Sequence, residues 1–207
     1  MFVFYPDLNQ LCKKMQWNFM GGFRLRIISG SAKGLILKAP SGLATRPTAD
    51  RVREALFDII GTKVSAAKFL DLFAGSGAVG IEALSRGAAS AVFVEKQRQA
   101  VAIIAANLKW TNLEGQAEVL VLPVDRALKL LAKRQAKFDL VFLDPPYKLA
   151  LASKALELLV NLDLIAEQSW LIAETLKAEE PPEPRGLHLV RRAEYGQTAL
   201  NFYQPEE

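Results

Sequence analysis

Residues 71–80 read Asp71-Leu72-Phe73-Ala74-Gly75-Ser76-Gly77-Ala78-Val79-Gly80, at the end of an apolar run and the start of a helically spaced segment. Glycines 75, 77 and 80 have G-x-G-x-x-G spacing. Without a Cβ the backbone can turn sharply and come close to a ligand. A tight strand-to-helix turn would use the same residues, but the strand–turn–helix setting favours a nucleotide-type ligand. On either side the pattern alternates. Strands are expected at 68–73, 90–94, 117–122, 138–143 and 170–174, separated by helices at 79–86, 97–109, 126–133 and 150–160. This repetition predicts an α/β fold, an open parallel sheet covered by helices on both faces. After the proline-rich break at 180–184, segments 186–192 and 198–204 read as two antiparallel strands joined through Tyr195-Gly196.

Upstream of the repeat, residues 24–28 and 34–38 alternate around Ser29-Gly30-Ser31, which predicts a β-hairpin. A helix follows Arg46-Pro47-Thr48, with Val52, Leu56, Ile59 and Ile60 on one face and Gly61 as its stop. Residues 24–53 carry seven Lys/Arg and one acid, net +6 in a chain of formal charge +4, which leaves −2 for the rest. The basic character is local. It suits either a solvated face or an arm for phosphates, in which case Arg24, Arg26, Lys33, Arg46 and Arg51 are the candidate contacts. The chain thus divides into an extension at 1–23, a basic hairpin at 24–45 and a main domain at 46–207.

Composition narrows the chemistry. The 207 residues are 51% hydrophobic and 23% charged, which describes a globular chain with a sizeable core. One cysteine, Cys12, excludes a disulfide framework or a cysteine-rich zinc site. One histidine, His188, excludes paired-histidine metal sites, and its apolar neighbours read as a strand rather than a catalytic setting. No metal is expected. Residues 1–20 lack a basic start and are broken by Asp7, Lys13 and Lys14, so they do not read as a targeting segment. The pattern becomes regular only after Met20, which reads as an alternative start. No run approaches the roughly 18 apolar residues that span a bilayer, so a cytoplasmic protein without a membrane partner is expected.

Three acids are expected at the carboxyl rim of the sheet, where open α/β folds bind ligands: Asp71, Glu95 and Asp125. Glu95 stands 20 residues beyond Gly75, where an acceptor-only carboxylate can take both hydroxyls of a ribose. A pyrophosphate at this helix N-terminus would be repelled by Asp71. S-adenosylmethionine has an ammonium and a sulfonium but no phosphate, so charge favours the methyl donor. The second constellation, Leu140-Val-Phe-Leu-Asp144-Pro145-Pro146-Tyr147, ends a strand with an acid, two prolines and an aromatic. Prolines lack N–H, so carbonyls there can project without pairing into the sheet. Asp144 and the Pro145 carbonyl can accept both hydrogens of an exocyclic amine, and Tyr147 can stack a base. A rigid strand-ending turn is the simpler use of Asp-Pro-Pro. The reading requires Asp71, Glu95 and Asp144 to meet at one pocket.

These blocks, with Arg26-Ile-Ile-Ser-Gly30 and Arg46-Pro-Thr-Ala-Asp-Arg-Val-Arg-Glu-Ala-Leu-Phe57, resemble the RsmD-type 16S rRNA guanine-N2 methyltransferases over residues 24–204. The resemblance implies a Rossmann-like class I methyltransferase fold: a seven-stranded, mainly parallel sheet with one antiparallel strand, preceded by a small hairpin. It implies methyl transfer from S-adenosylmethionine to N2 of a guanine in 16S rRNA, in an assembled or assembling small subunit, by a monomer. By the same resemblance Asp71, Phe73, Gly75 and Gly77 serve the methionine part, Glu95 the ribose and Asp125 the adenine side. Asp144, Pro145, Pro146 and Tyr147 serve the target base, and Arg46, Thr48 and Arg51 lie beside cofactor and RNA. The family often has a small residue after the acid at 125, where this chain has Arg126. Alternatives are an adenine-N6 methyltransferase acting on DNA or RNA, a protein-glutamine methyltransferase, whose motif usually begins with Asn, and a non-catalytic RNA-binding module.

Overall fold

The computed structural model describes residues 25–39, 47–146 and 149–206. Arg24, Arg46, Tyr147 and the segment at 1–23 lie outside the described residues. Helix α1 (Pro47–Ile60) runs into a short 3-10 turn, and strands and helices then alternate. They are β1 (Lys68–Leu72), α2 (Ala78–Ser85), β2 (Ser90–Val94), α3 (Arg98–Thr111), β3 (Ala117–Leu120), α4 (Val124–Lys133), β4 (Phe138–Leu143) and α5 (Leu149–Asn161). Strands β5 (Ile165–Leu176), β6 (Leu187–Tyr195) and β7 (Thr198–Pro205) close the chain.

The seven strands form one sheet in the order β3-β2-β1-β4-β5-β7-β6. β1 pairs in parallel with β2 and β4, and β4 with β5; β7 runs antiparallel to both β5 and β6. The predicted mainly parallel sheet with one antiparallel strand is therefore the one observed. Winding proceeds outward from β1 in one direction and from β4 in the other. That reversal opens a crevice at the carboxyl ends of β1 and β4, because the connections after the two strands leave to opposite sides. Asp71 sits in the last turn of the β1 pleat and Asp144 directly follows β4.

Each face of the sheet has its own core. One combines Val52, Leu56 and Phe57 of α1, Ile81 and Leu84 of α2 and Ile104 and Leu108 of α3 with Phe69, Phe93 and Phe142. The other packs Leu128 and Leu131 of α4 and Ala152, Leu156 and Leu159 of α5 on Leu70, Leu72, Val141 and Leu143. Successive strand residues alternate between the two cores, as the pleat requires. Among the described residues no helix is long and apolar enough to cross a membrane. His188 lies on β6, exposed to solvent.

The expected basic hairpin is present over 25–37: Arg26 and Ile36 form an antiparallel bridge, and Ile27, Gly34 and Leu37 donate N–H bonds to Leu35, Ile27 and Leu25 across it. Its apolar residues Leu25, Ile27, Ala32 and Leu37 are buried in the α1–α3 core, so docking adds to the pairing of its two arms. Side chains of the main body take its backbone groups. Glu82, fully buried on α2, accepts N–H bonds from Ile28 and Ser29 at 2.8 and 3.0 Å. Ser85 accepts the N–H of Ala32 and donates to the carbonyl of Ser29. Gly30 has φ +85, and a Cβ there would fall 1.8 Å from the Ser85 carbonyl oxygen, so this approach requires glycine.

Candidate active site

The turn after β1 is built by strain and close approach. Phe73 adopts φ +64, in the left-handed region that bulky residues rarely occupy. Gly75 and Gly77 follow at φ +55 and +77, and Gly77 forms the N-cap of α2. Gly80 has a different task. A Cβ there would lie 2.3 Å from the Phe93 ring and 3.1 Å from Asp71 Oδ2, so this glycine lets α2 pack against the strands.

Asp71 is 2% exposed, and its Oδ2 accepts the Gly80 N–H at 2.9 Å. Burial, with the charges of Asp144 and Glu95 adding to it, pushes its carboxyl up to about 7 against the Gly80 hydrogen bond. Glu95 follows β2. Its Oε2 accepts the Gly75 N–H at 3.0 Å and its Oε1 the Gln97 N–H at 2.8 Å, which ties the glycine turn to the second strand. Each oxygen keeps a further lone pair for a ligand.

A cleft of about 640 Å³ opens above these groups. One half is lined by Phe73, Gly75, Glu95, Gln97, Leu122 and Asp125, the other by Asp144, Pro145, Pro146, Leu151, Lys154 and Glu174. Glu95 and Asp144 thus meet in one cavity. Asp71 departs from the expectation that all three acids meet there, since it is not part of the lining. It is buried inside the turn, where Oδ2 accepts the Gly80 N–H, so it reaches the cleft through charge rather than contact. Gly77 likewise supports the turn from outside the lining, its Cα side packed near Ile104.

Asp125 corrects an expectation. It was expected at a strand end, but β3 stops at Leu120 and Asp125 lies in the first turn of α4. Pro123 is the reason: it cannot extend a ladder, and at φ −58 it starts the helix one residue later. Asp125 still reaches the cleft lining. Of the basic candidates, Arg26, Lys33 and Arg51 are exposed, and Thr48 falls in the first turn of α1. Arg53, part of the same charge cluster, is buried. It donates to the Arg26 carbonyl and to Asp50 and lies 3.8 Å from Glu82, so it holds the amino-terminal segment.

Sequence reading missed two residues. Glu174, on β5, lines the cleft beside Asp144. Burial, reinforced by the Asp144 charge, pushes it up to about 8, and burial pushes Asp144 up to about 6. Asp144 is open to the cleft, yet the surrounding protein still strips its carboxyl of much of its water. The only sequence signal for Glu174 was an acid ending a strand. Asn107, fully buried on α3, had no signal. It accepts the Lys38 N–H and donates to the carbonyls of Lys38 and of Ser76 in the glycine turn.

Several carboxyls around one cleft repel one another, and that repulsion falls when a cation enters. A phosphate-bearing ligand would increase it. The glycine turn, a carboxylate at ribose distance in sequence and this acidity fit a cationic, phosphate-free nucleoside. Among the described residues no cluster of three or more His, Cys, Asp or Glu is placed to hold a metal ion.

A family model described as "Conserved hypothetical protein 95" matches residues 25–204. A Bacillus subtilis (strain 168) chain, YlbH, is 41% identical over 181 residues, 87% of this chain and 98% of that one. Ribosomal RNA small subunit methyltransferase D of Escherichia coli (strain K12) is 36% identical over 190 residues, 91% of this chain and 94% of its own. The solved structure of the Escherichia coli chain yhhF superimposes with a TM-score of 0.76 at 36% identity, covering 89% of this chain and 99% of that one.

Proposed function

Because the chain belongs to the Conserved hypothetical protein 95 family, the RsmD-type methyltransferases, we propose that it methylates the exocyclic N2 of a guanine in small-subunit ribosomal RNA. The methyl donor is S-adenosylmethionine. The observation that carries the reading is one cleft at the sheet's switch point that joins Glu95 to Asp144 with Asp71 beneath.

The roles we assign are supported by the places of these residues around the cleft. Asp71 supplies negative charge below the turn that receives the donor's ammonium, and the Gly75 backbone lets the donor come close. Glu95 takes the ribose hydroxyls with its remaining lone pairs, and Asp125 borders the adenine side. When bound, the donor supplies a methyl carbon already made electrophilic by its sulfonium. Asp144 and the Pro145 carbonyl accept the two hydrogens of the guanine amine, which turns the nitrogen lone pair toward that carbon. Tyr147, outside the described residues, is assigned the stacking of the base on its motif alone. The N–C bond forms as the C–S bond breaks, and one N2 proton passes to Asp144 or water. Alignment and desolvation supply most of the rate, since no strong base is needed to deprotonate the amine first.

The exposed Arg26, Lys33 and Arg51 take RNA phosphates, and Arg24 and Arg46, outside the described residues, are added to them on sequence alone. A monomer acts on an assembled or assembling small subunit. The deciding experiment supplies labelled methyl donor with small subunits lacking the mark, naked rRNA or duplex DNA, and digests the products to nucleosides. N2-methylguanosine from the particle is expected. N6-methyladenosine, or label in DNA alone, overturns the reading.

A further inference from the structure

We propose that Glu174 reads the target guanine: its carboxyl pairs with O6 and N1–H of the base whose N2 amine is held by Asp144 and the Pro145 carbonyl. This rests on the guanine-N2 reading above and names the residue that makes the site selective.

Register brings the two acids together. β4 and β5 are parallel with Leu143 opposite Ala173, so Asp144 and Glu174 are the next pair at the carboxyl edge of the sheet. Phe142 and Ile172 both belong to the α1–α3 core, and alternation carries the residues two beyond each to that same side. Both line the cleft. Among the described residues neither an ion pair nor a hydrogen bond offsets the burial of Glu174. A desolvated carboxyl with no partner weakens the fold, and such groups collect at functional sites.

The order of donors and acceptors then selects the base. Guanine presents along one edge an acceptor at O6, a donor at N1 and two donors at N2. A neutral carboxyl offers an O–H donor and a C=O acceptor, which match O6 and N1–H. Asp144 and Pro145 offer acceptors for N2. Adenine with its amine on Asp144 would set one Glu174 oxygen against C2–H, unpaired. Glu174 is neutral at pH 7 because burial and the Asp144 charge push it up to about 8. The charged groups around it are Asp144 after β4, Lys154 on α5, Glu179 beyond β5 and Glu95 across the cleft. From β7, Thr198 and Leu200 contribute no charge.

The test compares Glu174→Ala and Glu174→Gln with the parent on unmethylated small subunits from pH 6.5 to 9. Calorimetric cofactor affinity serves as the folding control. A glutamine amide keeps a donor and an acceptor at every pH. Glu174→Ala is expected to lower kcat/KM roughly 10- to 100-fold, as loss of a two-point base contact does, with cofactor affinity within about twofold. Glu174→Gln is expected to stay within about threefold at pH 7 and to remove the parent's decline above pH 8. An alanine variant as active as the parent, or a glutamine variant as impaired as alanine, overturns the proposal. Nucleoside analysis of the parent's product separates the two levels. Absence of N2-methylguanosine overturns the functional reading itself, whereas its presence with an indifferent Glu174→Ala overturns only the role of Glu174.

Discussion

Asp71 combines a stabilising hydrogen bond with a destabilising charge, and the two can be separated. Asn at position 71 keeps an oxygen for the Gly80 N–H but carries no charge to bury. A buried acid whose folded pKa is raised binds more protons folded than unfolded. Its contribution is therefore largest near pH 4 and is lost as pH rises from about 4 toward 7. Asp71→Asn should consequently raise the melting temperature of the free protein more at pH 8 than at pH 5. The same change should weaken S-adenosylmethionine by about 10-fold, since a through-space attraction between carboxylate and ammonium of roughly 1–2 kcal/mol is removed. Calorimetry and thermal melts at the two pH values check both halves; equal cofactor affinity would remove Asp71 from the binding account. Asp144→Ala should behave in the opposite way, abolishing transfer with cofactor affinity nearly unchanged, because Asp144 serves the other half of the cleft.

At the scale of the element, α2 serves two ends. Its first turn carries Gly77 and Gly80 of the glycine motif, and its last turns hold the amino-terminal segment through Glu82 and Ser85. Glu82 also pairs with Arg86 at 2.7 Å and lies near the buried Arg53. Glu82→Ala leaves two backbone N–H groups unpartnered and takes one of two carboxylates from beside Arg53, which keeps Asp50, a cost of about 3–5 kcal/mol. A fall in denaturation midpoint accompanied by fast amide exchange at Ile28 and Ser29 is the expected signature. Asn107 on α3 makes the second link, between Lys38 and the Ser76 carbonyl. Asn107→Ala should therefore loosen residues 37–39 and lower cofactor affinity together, as exchange and titration on one sample would reveal. Loosening with unchanged affinity would show that the glycine turn holds itself.

Across the whole molecule, a basic arm and an acidic cleft divide the labour of binding. Arg26, Lys33 and Arg51 are exposed, whereas Arg53 is buried among carbonyls and carboxylates. Alanine at each of the first three should reduce the slope of log affinity for RNA against log salt by about 0.7–0.9; alanine at Arg53 should lower stability with little change in slope. Salt titrations of RNA binding decide between these behaviours. The α/β alternation, the glycine turn and the antiparallel tail were all legible in the chain. They rest on local rules: apolar periodicity, glycine where φ is positive and proline where a ladder must stop. Glu95 and Asp144 were legible for the same reason, since each ends a strand. The hairpin at 25–37 was legible too, but the surface it docks on was not, because alternation within a segment says nothing of its partner. Glu82, Ser85 and Asn107, remote in sequence, supply that surface by taking the hairpin's backbone groups. Nor could spacing reveal that Arg53 is internal or that Glu174 stands beside Asp144. Which charges lose water and which acids become neighbours depends on strand register and on burial by distant elements, so the folded chain alone sets them.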